Sequence, residues 1–189
     1  KNILCIATKQ ETAKNMVTKV KFMYENLPTW LKERDKPAED NKLTLRLNNG
    51  SQIKATSASS DAGRSEAVSL LIIDEAAFIS NIGEIWASAQ QTLATGGGCI
   101  ALSTPYGTGN WFHQTWVDAE MAENSFLPIK LPWHVHPERD EDWRKQQDAD
   151  LGHKMAAQEC DCDFSTSGDT VFLPEHIDFF ETTHVKDPL

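Results

Sequence analysis

The sequence predicts an α/β domain, with a mostly parallel sheet covered by helices on both faces and a β-hairpin attached. Three observations carry this. Short apolar runs recur at Asn2–Ala7, Val68–Ile73 and Cys99–Leu102, the pattern of strands buried on both faces. Segments of helical periodicity stand between them. Leu43, Leu45 and Leu47 alternate with polar residues, and Ile53 and Ala55 alternate after Asn48-Asn49-Gly50, which reads as a hairpin closed by an Asn-Gly turn that supplies positive φ angles.

The elements follow in order. Asn2–Ala7 is the first strand. Thr8-Lys-Gln-Glu11 has the spacing of a capping box, with the Thr8 hydroxyl accepting from residue 11 and Glu11 reaching back. Ala13, Met16, Val17, Val20, Met23, Tyr24 and Leu27 repeat at helical spacing, and Pro28 marks the end. The hairpin spans Leu43–Thr56. Ser57–Gly63 is small and polar, a loop. Val68–Ile73 is a fully buried strand. Ile82, Ile85, Trp86, Ala89 and Leu93 mark a helix ending at Gly96-Gly-Gly98, and Cys99–Leu102 is the next strand. Trp111–Met121 reads as a helix, Phe126–Leu131 as a strand, Asp140–Asp163 as one or two helices, and Gly168–Phe172 as a short strand or turn.

The chain has 189 residues, 40% hydrophobic and 24% charged, a folded composition that excludes a disordered chain. A globule of this size buries roughly 70% of its unfolded surface and needs no covalent staples. No apolar run approaches a membrane span. Four cysteines are too few for a disulfide scaffold and suit a reducing compartment. The chain opens on Lys1-Asn2-Ile3 without an initiator Met or signal-peptide layout, as expected of an internal piece of something longer.

The net charge of −10 is uneven. Residues 1–60 carry 11 Lys/Arg against 6 Asp/Glu, and residues 61–189 carry 7 against 22. An acidic module does not wrap nucleic acid by charge alone. A polyanionic partner would meet the first third, around Lys14, Lys19 and Lys21; a solvated lysine face is the alternative.

The chemistry gathers at Leu70-Leu-Ile-Ile-Asp74-Glu75-Ala-Ala-Phe78. Two carboxylates stand at the carboxyl end of a buried strand, where open α/β sheets bind ligands. One strand-end Asp suits Mg2+, a hard cation that takes oxygen ligands. Alternation along the strand turns the next residue the other way, so Glu75 can address an attacking water. This is the layout of phosphoryl-transfer motors. The alternative is that Asp74-Glu75 merely starts a helix.

About thirty residues on, Ala101-Leu-Ser103-Thr104-Pro105-Tyr-Gly107-Thr-Gly109 ends the following strand. One helix and one return bring Ser103 and Thr104 beside the carboxylates, where hydroxyls can sense a γ-phosphate or hold a water; a turn capping the next helix is the other reading. Arg64 lies in the loop Ser60–Ser65, eleven residues before Glu75. A loop guanidinium near a nucleotide neutralises transition-state charge; otherwise it is a surface arginine. His134-Val-His136 and Cys160-Asp-Cys162 do not match zinc spacings. The tryptophans at 111, 116, 133 and 143 suit core packing in so acidic a stretch.

These segments resemble the ATPase domain of the large subunit of tailed-phage terminase. The resemblance rests on the hairpin, the loop with Arg64, Leu70–Phe78 as Walker B, Ser103-Thr104-Pro105-Tyr-Gly107 as coupling motif, Trp111-Phe112-His113, and the late Gln158–Phe164 and Ser167–Phe172. It implies a RecA-like P-loop NTPase core over residues 1–165, and a linker over 166–189 leading toward a nuclease domain beyond Leu189. It implies Asp74 on Mg2+, Glu75 as the catalytic carboxylate, Ser103 and Thr104 coupling hydrolysis to motion, and Arg64 as an arginine finger, although Ser65 stands where the family often has Gly.

The resemblance further implies ATP as substrate and translocation of double-stranded DNA into a procapsid. The implied partners are a portal protein, a small terminase subunit and sister copies in a ring, in the cytoplasm of an infected bacterial host and without a membrane. No Gly-x-x-x-x-Gly-Lys-Ser/Thr occurs, so the phosphate cradle is missing. In the family that motif precedes the strand opening this chain, and the segment alone is expected to hydrolyse ATP poorly or not at all. A helicase-type DNA-remodelling ATPase and a non-hydrolytic scaffold of the same fold are the rival readings.

Overall fold

A computed structural model describes residues 1–59, 67–93, 96–166, 179–180 and 182–184. The chain divides into two compact units, Lys1–Ser103 and Thr104–Leu189.

The first unit holds a six-stranded sheet. Its elements are β1 (Asn2–Ala7), α1 (Gln10–Glu25), α2 (Thr29–Arg34), β2 (Pro37–Asn41), β3 (Thr44–Leu47), β4 (Gln52–Ser57), β5 (Leu70–Asp74), α3 (Ile82–Leu93) and β6 (Gly98–Leu102). The spatial order is β2-β3-β4-β1-β5-β6. β1 pairs in parallel with β4 and β5, and β5 with β6; β3 pairs antiparallel with β2 and β4. Parallel pairing requires crossovers. The β1-to-β4 and β5-to-β6 connections run in opposite directions across the sheet. The right-handed crossover rule therefore puts α1 and α3 on opposite faces.

Register confirms the division. Cys5 sits opposite Ala55 and Ile72 in one row. Cys5, Ala7 and Ala55 form a buried cluster with Ala13 and Val17 of α1. Ile6, Leu71 and Ile73 are buried on the other face, and Ile82, Ile85, Ala89 and Leu93 are the buried stripe of α3. β6 is the outer strand. Ile100 and Leu102, on the face shared with Ile72, are exposed.

Several local expectations change. Thr8 does not cap α1: Lys9 is the N-cap without a side-chain bond, and Glu11 pairs with Lys14 at 2.8 Å instead. Met23 is 65% exposed and Leu27 40%, because only the Ala13–Val17 end of α1 reaches the sheet's buried cluster. The hairpin turn places only Gly50 at positive φ (81°). Gly50 N–H donates to the Leu47 carbonyl at 2.9 Å and Leu47 N–H to Ser51 at 2.8 Å, the three-residue loop with a glycine bulge. β2 was not expected from its sequence, Pro-Ala-Glu-Asp-Asn. All five of its residues are exposed, and Lys21 of α1 ties it down through Asp40 and the Asn41 carbonyl.

The second unit contains α4 (Trp111–Glu120), α5 (Glu141–Leu151) and α6 (His153–Ala156), followed by a π-helical turn over Ala157–Asp161. Asn110 and Asp140 cap α4 and α5, their side chains accepting from His113 and Trp143 N–H. Phe164 packs against Phe112, His113 and Trp116, with ring centroids 6.1, 5.0 and 6.1 Å away. Arg144 is buried and clasps the end of the π turn. Its Nε and Nη2 donate to Asp161 at 2.9 and 2.7 Å, and Nη1 lies 2.7 Å from Asp148.

Phe126–Leu131 is not a strand. Pro128 in its middle has no N–H to give a ladder, and Leu127, Ile129 and Leu131 are exposed. The expected feature at Gly168–Phe172 and the expected linker over 166–189 lie almost wholly outside the described residues. Among those described, no helix is long and apolar enough to cross a membrane.

Candidate functional site

Asp74 is the last residue of β5 and sits opposite Leu102, the last residue of β6. The two strands are parallel, so the residues that follow, Glu75 and Ser103, leave the sheet at the same edge. Of the two hydroxyls expected beside Asp74-Glu75 at one rim, that of Ser103 is found there, whereas that of Thr104 meets Glu159.

Asp74 is half-buried, and its carboxylate makes no hydrogen bond or ion pair among the described residues. It shares the sheet face of Cys5. Burial, with the Asp74 charge second, pushes the Cys5 thiol up to about 11. A carboxylate at a strand end is an oxygen donor that fits a hard cation. No group of three or more His, Cys, Asp or Glu gathers among the described residues. An ion here would complete its shell with water and substrate oxygens, the usual state of Mg2+.

Glu75 does not continue the strand. Its backbone is left-handed, φ 55° and ψ 44°, a conformation costing a non-glycine residue roughly 1–2 kcal/mol. A single 3₁₀ turn, Ala76–Phe78, follows and is closed by Phe78 N–H donating to the Glu75 carbonyl at 2.9 Å. Strand alternation therefore does not aim Glu75; this kink does. The Ser103 hydroxyl donates to Glu75 Oε2 at 3.5 Å and accepts the Ala77 N–H at 3.2 Å. One serine thus touches both the carboxylate and the turn that carries it.

Thr104 opens the second unit. Its hydroxyl donates to Glu159 Oε1 at 3.5 Å, and Gln158 Nε2 donates to the same oxygen at 2.9 Å. Glu159 was not anticipated as a site residue. It lies 55 positions from Thr104, so no spacing rule links them; the only signal was its place in the late Gln158–Phe164 segment. Arg64 lies outside the described residues.

An open, mostly parallel sheet with two acids and a serine at its carboxyl edge is the frame of a ligand-binding α/β domain. The family described as terminase large subunit, T4-like virus type, N-terminal, matches residues 1–179. The chain belongs to that family.

Solved structures share the fold. The large terminase ATPase domain of Thermus phage P74-26 is 23% identical with a TM-score of 0.59, over 87% of this chain and 76% of that one. The large terminase of a thermophilic bacteriophage in complex with ADP is 12% identical with a TM-score of 0.65, over 87% and 40%. The large terminase of bacteriophage HK97 is 18% identical with a TM-score of 0.58, over 82% and 37%. The chain thus spans about three quarters of the ATPase domain and two fifths of the longer large terminases.

Proposed function

We propose that this chain is the ATP-hydrolysing core of a phage DNA-packaging motor, acting on double-stranded DNA with a portal protein, a small terminase subunit and further copies of itself, in the cytoplasm of the bacterial host. The observation that carries the reading is the meeting of Glu75 and Ser103 beside Asp74 at the carboxyl edge of two parallel strands. Membership of the terminase family and the ADP complex of a structural neighbour support it.

Asp74 would hold Mg2+, which when bound neutralises developing charge on the phosphates. Glu75 accepts a proton from, and orients, the attacking water. Ser103 holds the turn that carries Glu75 by accepting the Ala77 N–H, and its one proton, shared with Glu75 over a long 3.5 Å, can pass to the γ-phosphate side. Thr104 is the second coupling hydroxyl, and Arg64 would offset charge in the transition state. The phosphate cradle, for which these residues hold no motif, would come on a further parallel strand along the outer edge of β6, unpaired among the described residues.

The test is Glu75→Gln in the native protein. ATP turnover should fall about 10²- to 10⁴-fold, the contribution typical of a positioned general base, with the thermal midpoint unchanged. Turnover at the wild-type rate would overturn the reading. The present segment alone is expected to turn over ATP poorly, measured in the same assay.

A further inference from the structure

We infer that Glu159 is a positioning residue for the reaction: it is the resting acceptor of the Thr104 hydroxyl and holds that side chain poised until nucleotide takes the hydroxyl over. The inference rests on the ATPase reading above and extends it to a residue outside the Walker B and coupling segments.

A threonine hydroxyl donates one proton. Thr104 can give it to Glu159 or to a phosphate oxygen or water, but not to both. The contact it now makes is long, 3.5 Å against about 2.7–2.8 Å for a normal O–H···O bond, so it is readily exchanged. The acceptor is exposed and is held from one side by its neighbour. Gln158, which holds the same Glu159 oxygen at 2.9 Å, is buried.

Both residues lie on the π-helical turn, a rare geometry that recurs at functional sites. Its far end is held by the Arg144–Asp161 pair, and the left-handed Cys162 that follows leads to Phe164, packed on α4. α4 is tied in turn to the coupling segment through Asn110, whose side-chain amide donates to the Tyr106 carbonyl at 2.8 Å. Within the second unit, therefore, Thr104 stands against a carboxylate borne on a braced turn. The neighbouring Ser103 is engaged separately, by Glu75 and Ala77 in the first unit. The two adjacent hydroxyls answer to different acids.

The experiment is a mutant cycle in the native protein, reading kcat and KM for ATP. Glu159→Ala and Thr104→Ala should each lower kcat about tenfold, a cost of misplaced geometry, with KM within twofold. Glu159→Gln, whose amide oxygen still accepts, should retain most of the rate. The double variant should fall no further than either single one, because the pair acts as a unit. Multiplied losses in the double variant, or wild-type kcat in Glu159→Ala, overturn the inference. Glu75→Gln run alongside separates the two levels. If it is inactive while the Thr104 and Glu159 losses multiply, only the Glu159 role falls. If it turns over normally, the ATPase reading falls and this role with it.

Discussion

The two units are built on different physics. The first buries Ile6, Val17, Leu71, Ile73 and Ile85 between a hydrogen-bonded sheet and helices. In the second, the buried hydrophobic residues among those described are small: Ala119, Ala156, Ala157 and Cys160, with Pro105. What holds that unit is directional, namely the Arg144 clasp, the side-chain caps at Asn110 and Asp140, and the ring cluster around Phe164. Charge divides the same way. Residues 1–103 hold 12 Lys/Arg against 11 Asp/Glu, and residues 104–189 hold 6 against 17. A unit of like charges repels itself, so its few cations carry more of its cohesion. The lesson is that a hydrogen-bonded sheet bears Asp74, Glu75 and Ser103, while a polar, ion-dependent unit bears Thr104 and Glu159.

The comparison can be broken in three further ways. Leu71→Ala, in the middle of β5, should cost about 3–5 kcal/mol and lower protection from amide exchange throughout the sheet. A loss confined to β5 would contradict a single cooperative frame. Arg144→Ala should cost about 2 kcal/mol, the scale of hydrogen bonds to charged groups, moderated because Asp148 and Asp161 are partly in water. Exchange should rise over residues 141–161 and leave β1 and β5 unchanged.

The smallest effect is on pH. Burial raises the Cys99 thiol to about 12, and Cys5 stands at about 11, against 9.0 for a free thiol on the same scale. A thiol that binds its proton more tightly when folded gives stability that is whole below about pH 9 and is lost as pH climbs through 11 and 12. Denaturant melts across that range should show the decline, and Cys5→Ala with Cys99→Ala should flatten it.

Much of the first unit was legible because its determinants are local. Leu70–Ile73 is apolar over consecutive residues, which identifies β5, and the crossover rule brings Ser103 to Glu75. α3 and α4 were read from periodicity alone. What escaped has nonlocal or purely backbone causes. β2 carries no apolar pattern, since an edge strand exposed throughout needs none; its place comes from pairing with β3. Phe126–Leu131 has the alternation of a strand, but Pro128 denies it a ladder. Thr8 had the capping spacing, yet Glu11 found Lys14. The left-handed turn at Glu75 has no residue signature, because glutamate is not chosen for that conformation. Glu159 reaches Thr104 only through the folded path of the second unit.

The outermost strand of the sheet has a practical corollary. The backbone along the free side of β6 offers donors and acceptors with nothing among the described residues to meet them, beside the uncovered side chains of Ile100 and Leu102. Natural sheets keep such borders from sticking to one another with a lysine or a proline, and Gly98–Leu102 has neither. At high concentration such a border is expected to draw copies of the polypeptide together, and an Ile100→Lys exchange should keep them dispersed, as sedimentation would show.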